Sequence, residues 1–270
     1  MIKLIASDID GTLIPYGQKD LPQGLFPLIR RLRERGIWFC PASGRQLHSL
    51  RCLFAPAAEE MCFLCENGGV VFGPGGEEAP VLSKTSFPRE VAMALSRDIA
   101  SQPGCQALIS GERTGYVCGG YPPRLQTILE REVGSRITPV TDPEEIGEDI
   151  VKISAFCPQG PEKPMKALGP KWSEWNMAVA GPIWLDFGVA DKGTGIRGLC
   201  KALGIAPEEV AAFGDNWNDV AMLRAVGHPY LMDTADPALR AQFPQQCSDV
   251  CAVLEEILEE NGSPAERAYN

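Results

Sequence analysis

Hydrophobic and polar positions in the first third of the chain switch between two periods. Ile2, Leu4 and Ile5 make a short apolar run that reads as a strand over 2–6. Leu25, Leu28, Ile29 and Leu32 then recur at helical spacing, and Gly36 ends that helix. Ile37-Trp38-Phe39-Cys40 reads as a buried strand, and a short helix is predicted over 47–54. A third strand at 61–64 runs into Glu66-Asn67-Gly68-Gly69, which reads first as a tight hairpin turn. Such alternation predicts a parallel sheet with helices on both faces and ligands outside the carboxyl ends of its strands.

The pattern changes after Gly73-Pro74-Gly75-Gly76. Two helices are predicted near 90–99 and 125–133, among strand-like runs at 107–109, 116–118, 151–156, 177–180 and 183–187. Strands and helices without regular alternation indicate an α+β insertion with an antiparallel sheet. Phe87-Pro88, Gly160-Pro161 and Gly181-Pro182 suit loops in or around it. Alternation then resumes: a helix after Lys192, a strand at 210–213, a helix at 220–225, a short strand at 230–231 and a helix at 250–258. Residues 261–270 are polar and aperiodic, and read as a loose tail. The expected class is α/β: a doubly wound, mainly parallel Rossmann-like sheet core over 1–82 and 187–270, with an inserted α+β domain over 83–186.

Composition narrows the partners. At 270 residues, 44% hydrophobic and 22% charged, the chain has enough apolar material for one large or two moderate domains. Its formal charge of −10 disfavours nucleic acid and anionic membranes as partners, while an anionic small substrate stays open if local cations and a metal offset the field. No apolar run reaches membrane-span length, and Met1 leads directly into the first strand without a basic leader, so a cytoplasmic location is expected. Several of the 10 cysteines (Cys40, Cys62, Cys118, Cys157, Cys200) sit in apolar stretches, as reduced core thiols do. Cys62-Phe63-Leu64-Cys65 lacks the second tight pair or spaced histidines a structural zinc site needs, since the only histidines are His48 and His228. Oligomeric state cannot be read from the sequence.

The chemistry concentrates in motifs far apart in sequence. Ser7-Asp8-Ile9-Asp10-Gly11-Thr12-Leu13 sets two carboxylates two residues apart where the first strand meets a glycine. A strand alternates its faces with period two, so Asp8 and Asp10 start on the same side of the chain. Pro41-Ala42-Ser43-Gly44-Arg45 follows the second strand, Lys192-Gly193 opens a late helix, and Gly214-Asp215-Asn216-Trp217-Asn218-Asp219 follows a late strand. Each motif alone has a plainer reading: a solvated strand end, an ordinary turn, a surface lysine, a helix cap.

The four motifs in this order, with an insertion between the second and third, resemble the haloacid dehalogenase superfamily of aspartyl-phosphate phosphatases, in its Cof-type sugar-phosphatase-like group. The resemblance covers nearly the whole chain and makes the 83–186 insertion a substrate-selecting cap. It implies Asp8 as the nucleophile that becomes phosphorylated and Asp10 as the proton shuttle. Lys192, Ser43, Gly44 and Asn218 are then expected at the phosphoryl group, with backbone amides of Ile9 and Gly44 assisting. It implies Mg2+ held by Asp8, Asp215 and the Asp10 backbone carbonyl, with Asp219 orienting the metal shell. Arg45 and Asn67 become possible substrate or cap contacts, and Arg113, Tyr116 and Arg124 polar candidates within the insertion. The expected partner is a small phosphorylated metabolite such as a sugar phosphate. Phosphotransfer or mutase chemistry on the same scaffold, and a non-catalytic phosphometabolite-binding protein, are the alternatives.

Three features depart from this picture. Gly193-Thr194-Gly195-Ile196-Arg197-Gly198 is literally a G-x-G-x-x-G and by itself suggests a dinucleotide site. Trp217 puts a bulky indole in the metal loop, where the family commonly has small residues. Leu231-Met232-Asp233-Thr234-Ala235-Asp236 replaces the group's usual glycine-asparagine-alanine turn.

Overall fold

A computed structural model of the chain describes residues 1–260; the tail expected at 261–270 lies outside the described residues. The chain forms two compact units, one of residues 1–43, 53–83 and 191 onward, the other of residues 44–52 and 84–190.

The first unit is built on a five-stranded sheet in the order Gln246–Cys247, His228–Met232, Val210–Gly214, Leu4–Ser7, Trp38–Pro41. Every pairing is parallel, with Leu4 to Ser7 in register with Val210 to Phe213 on one side and Trp38 to Pro41 on the other. Leu4, Ala6, Cys40, Val210 and Ala212 pack against Ile196, Leu199 and Cys200 of the helix Lys192–Leu203 and Met222 and Leu223 of Val220–Leu223. By strand alternation Ile5 and Phe39 face the other way. There Phe39 and Phe63 meet Phe54, and the helices Leu25–Glu34 and Val250–Glu260 pack on one another. Helices on both faces make the sheet doubly wound, as the alternation predicts. The helix Leu25–Glu34 ends at Gly36, whose φ of 74° is left-handed. The strand Phe63–Cys65 joins the sheet edge through a parallel bridge from Leu64 to Ala42, then turns back on Val70–Phe72. Glu66-Asn67-Gly68-Gly69 is thus the hairpin turn, with Glu66, Asn67 and Gly68 at positive φ.

The second unit is a six-stranded sheet in the order Ala178–Gly181, Trp184–Gly188, Ile150–Phe156, Gln106–Gly111, Gly115–Cys118, Ile137–Val140. It is antiparallel except for its last pair. The helices Arg89–Ala100 and Glu162–Trp172 cover one face through Leu95, Ile99, Leu168 and Trp172. Leu125 and Leu129, from the helix Pro123–Gln126 and the π-helical turns that continue it, cover Leu108, Val117 and Phe156 on the other. Residues 44–52 group with this unit. Lys152 Nζ donates to the Gly44 carbonyl at 2.7 Å, the Arg136 N–H to Gln46 Oε1 at 3.2 Å, and Ser49 Oγ to the Val133 carbonyl.

Two elements of the insertion that periodicity does not reveal, a helix and an edge strand, contain proline. Glu162–Trp172 carries Pro164 in its first turn, where a missing N–H costs nothing, and Pro170 near its end. Ile137–Val140 carries Pro139 and lies at the sheet edge, where a strand tolerates it. All ten cysteines are free. Among the described residues no helix is long and apolar enough to cross a membrane.

Candidate active site

The parallel register brings the motifs of the first unit to one sheet edge. Asp8 follows Ser7, Asp215 follows Gly214, and Ser43 lies two residues beyond Pro41. The Asp8 N–H donates to the Phe213 carbonyl at 2.9 Å and the Ala42 N–H to the Ser7 carbonyl at 2.8 Å, so hydrogen bonding continues past the strand ends. Lys192 is the first residue of its helix. Asp191 caps that helix by accepting from the Thr194 N–H at 2.6 Å, and this orients the lysine.

The lysine is the centre of the site. Its side chain is 1% exposed, and its ammonium donates to Asp8 Oδ1 and, at 2.6 Å, to Asp219 Oδ1. The other oxygen of Asp219 accepts the N–H groups of Asp215 and Asn216, each at 3.0 Å. With both oxygens used, Asp219 serves as the brace that fixes the lysine and the Asp215 loop together. Asp8, Asp215 and Asp219 offer carboxylate oxygens within 4.8 Å of one another. Burial pushes the Asp8 carboxyl up to about 7; Lys192 opposes this, and Asp219 and Asp215 add to it. Burial also raises Asp215, against which the Tyr16 hydrogen bond acts. Burial works against the Lys192 ammonium, but Asp8 and Asp219 outweigh it and hold the group above the ordinary lysine range.

An all-oxygen, desolvated cluster with a surplus of negative charge is the donor set a hard divalent cation prefers. These residues therefore fit magnesium.

Asp10 differs from the clustered carboxylates in its exposure. The first strand ends at Ser7, so period-two alternation stops before the aspartates; Asp8 is buried and Asp10 exposed. In the turn that follows, Gly11 takes a φ of 97° and donates its N–H to the Ile14 carbonyl at 2.8 Å. Ser43 is buried, donates its N–H to the Leu64 carbonyl at 3.0 Å and accepts at its own carbonyl from the Asn67 N–H at 2.9 Å. The Asn67 side chain has its Oδ1 buried without a hydrogen-bond partner. Gly44 and Arg45 belong to the second unit. Asn218 and Trp217 are exposed, the indole to 55%.

Sequence reasoning assigns no role to two residues that touch Asp215. Thr12 Oγ1 donates to Asp215 Oδ1 at 3.1 Å, and the Tyr16 hydroxyl donates to Asp215 Oδ2 at 2.6 Å. The Asp215 carboxylate pushes the Tyr16 hydroxyl well above the ordinary phenol range. Tyr16 carries no motif signal, because its contact depends on the chain doubling back after Gly11.

The G-x-G-x-x-G has a packing explanation. The strand before it, Trp184–Gly188, belongs to the antiparallel sheet, so no parallel strand feeds this helix. A Cβ on Gly193 would lie 2.4 Å from the Ala221 carbonyl, on Gly195 2.7 Å from Leu64, and on Gly198 2.1 Å from Ser83. The three glycines let the helix bearing Lys192 approach its neighbours.

The model of the haloacid dehalogenase-like hydrolase family matches residues 5–251. The chain belongs to that family. The hydrolase is similar to the 5-amino-6-(5-phospho-D-ribitylamino)uracil phosphatase YbjI of Escherichia coli, at 30% identity over 89% of this chain and 88% of that one. An HMP-PP phosphatase of Klebsiella pneumoniae is 26% identical over 90% of this chain and 89% of its own length. A solved structure from Eubacterium rectale matches with a TM-score of 0.83 at 28% identity, covering 95% of this chain and 99% of that one. Within the family the hydrolase falls in the Cof-type group of sugar and metabolite phosphatases, with the six-stranded insertion as its cap domain. Family and carboxylate cluster together support a magnesium-dependent phosphatase mechanism.

Proposed function

We propose that the hydrolase removes phosphate from a small phosphorylated metabolite, a sugar phosphate or similar phosphomonoester, through a phospho-Asp8 intermediate. The buried lysine clamped between Asp8 and Asp219 beside Asp215 carries this reading. An anionic nucleophile attacking an anionic phosphoryl group needs positive charge at the point of approach. A solvated surface lysine would not be held in this way.

In the first step an Asp8 oxygen forms a bond to phosphorus as the ester oxygen leaves, and the Asp10 carboxyl gives that oxygen its proton. Lys192 draws off the charge that develops on the phosphoryl oxygens. Ser43, with the Gly44 and Ile9 amides, donates hydrogen bonds to those oxygens, and Asn218 contributes from the loop before Asp219. In the second step Asp10 takes a proton from water, the water oxygen attacks phosphorus, and Asp8 is released with inorganic phosphate. Magnesium, held by Asp8, Asp215 and the Asp10 backbone carbonyl and oriented by Asp219, supplies the further positive charge. Arg45 and Asn67 are the proposed substrate contacts. The Escherichia coli relative's named substrate, a uracil carrying a phosphoribityl chain, belongs to the same size class.

The test is phosphate release from an aryl phosphate and then from a panel of phosphorylated metabolites, with and without magnesium. Asp8→Asn should abolish turnover while leaving the fold intact. Normal turnover by that variant would refute the mechanism.

A further inference from the structure

We propose that Tyr16 is a positioning residue for Asp215, its hydroxyl fixing the orientation in which that carboxylate meets a divalent cation. This rests on the reading of Asp215 as a metal ligand.

Packing does not account for where Tyr16 lies. The residue is 69% exposed, so little apolar surface is gained by holding it in place. Its polar end nevertheless makes a 2.6 Å hydrogen bond to Asp215 Oδ2, the short, strong type expected for a hydroxyl on a carboxylate. The turn from Ile9 to Ile14 directs it there: the Ile14 N–H returns to the Ile9 carbonyl at 2.8 Å, and the Gln18 N–H to the Pro15 carbonyl at 3.0 Å. The phenol end then lies directly over Gly11, where a Cβ would come within 2.8 Å of Tyr16 Cζ and 2.3 Å of Asp215 Oδ2.

The way each carboxylate is held separates their functions. Asp8 and Asp219 are bonded by the Lys192 ammonium, which cancels charge as it orients them. Asp215 is bonded by two neutral hydroxyls, Thr12 on Oδ1 and Tyr16 on Oδ2, which stop the carboxylate rotating and leave its negative charge whole. Each oxygen accepts one such bond and keeps lone-pair capacity for a cation. Partners behind a metal-binding carboxylate act in this way on affinity.

Calorimetric titration of magnesium into wild type, Tyr16→Phe and Tyr16→Ala tests this, with circular dichroism confirming the fold of each. Both variants should bind magnesium about tenfold more weakly. The magnesium concentration giving half-maximal turnover should rise in parallel, with kcat at saturating magnesium and substrate KM unchanged. Wild-type affinity in Tyr16→Phe overturns the proposal, even if Tyr16→Ala is impaired, because the ring and not the hydroxyl would then matter. A wild-type protein that binds no magnesium overturns the metal reading itself and this proposal with it.

Discussion

Replacing Lys192 by Met keeps the buried apolar stem and removes the charge joining Asp8 to Asp219. At the observed 2.6 Å to Asp219, and an effective dielectric near 20, the gross attraction is about 6 kcal/mol. Much of this is offset by the desolvation of a side chain that is 1% exposed, and breaking such a buried pair typically costs about 3–5 kcal/mol. The loss should depend on pH in a definite direction. In the unfolded chain Asp8 ionises near its ordinary value of about 4, whereas in the fold burial pushes it up to about 7 despite the lysine. Between these values the folded protein holds the extra proton, so the Asp8 contribution to stability falls as pH rises through the window. Removing the lysine raises the folded value further and extends the window upward. At about pH 5 both proteins hold Asp8 protonated, so the variant's deficit comes only from Asp219 losing its partner; at about pH 8 the Asp8 part adds to it and the deficit reaches the full 3–5 kcal/mol. Urea unfolding in chelator at the two pH values measures both deficits. Equal deficits, or a loss below about 1 kcal/mol at the higher pH, would refute the reasoning. Turnover at saturating magnesium should also fall by at least about a hundredfold.

Two further perturbations probe the same cluster. With Asp8 as the proposed nucleophile, which attacks only when ionised, turnover at limiting magnesium should rise with pH through about 7, and saturating magnesium should move that limb to lower pH; a limb indifferent to magnesium in a pH-rate series would separate the cation from Asp8. Gly11→Ala places a Cβ 2.3 Å from Asp215 Oδ2 at a φ of 97°, so it should cost about 1–3 kcal/mol in urea unfolding and weaken magnesium binding in the same preparation.

What the sequence makes legible follows from locality. Asp8, Lys192, Asp215 and Asp219 sit at strand ends or helix starts in local motifs, and the order of those motifs, through the family resemblance, groups them. The core strands are apolar and short, and their helices carry regular stripes such as Leu25, Leu28, Ile29 and Leu32. Legibility fails where a contact is made by return of the chain. Tyr16 reaches Asp215 across 199 residues, and nothing around it in sequence distinguishes it from a loop aromatic. Residues 44–52 group with the insertion because Lys152 and Arg136 bond Gly44 and Gln46, pairings between segments some 90 or more residues apart. The G-x-G-x-x-G misleads for a related reason: close helix packing and phosphate approach both require glycine, and only the tertiary neighbours distinguish them.

The cluster's charge explains why its parts must work together. Three carboxylates within 4.8 Å of one another and one ammonium leave two negative charges in a buried setting. Burial pushes the Asp8 carboxyl up to about 7, the Asp219 and Asp215 charges add to it, and protonating Asp8 relieves part of that excess. A divalent cation would relieve all of it and leave Asp8 ionised. Asp219 is part of the excess, and its oxygens accept from Lys192 and from the Asp215 and Asn216 amides. The lysine lowers the cost of ionising Asp8, and the Asp219 brace holds it in place. Asp215, held by hydroxyls alone, keeps its full charge for the cation. The proposed nucleophile, the brace and the proposed cation ligand are all aspartates, and the neighbour that bonds each one sets it apart.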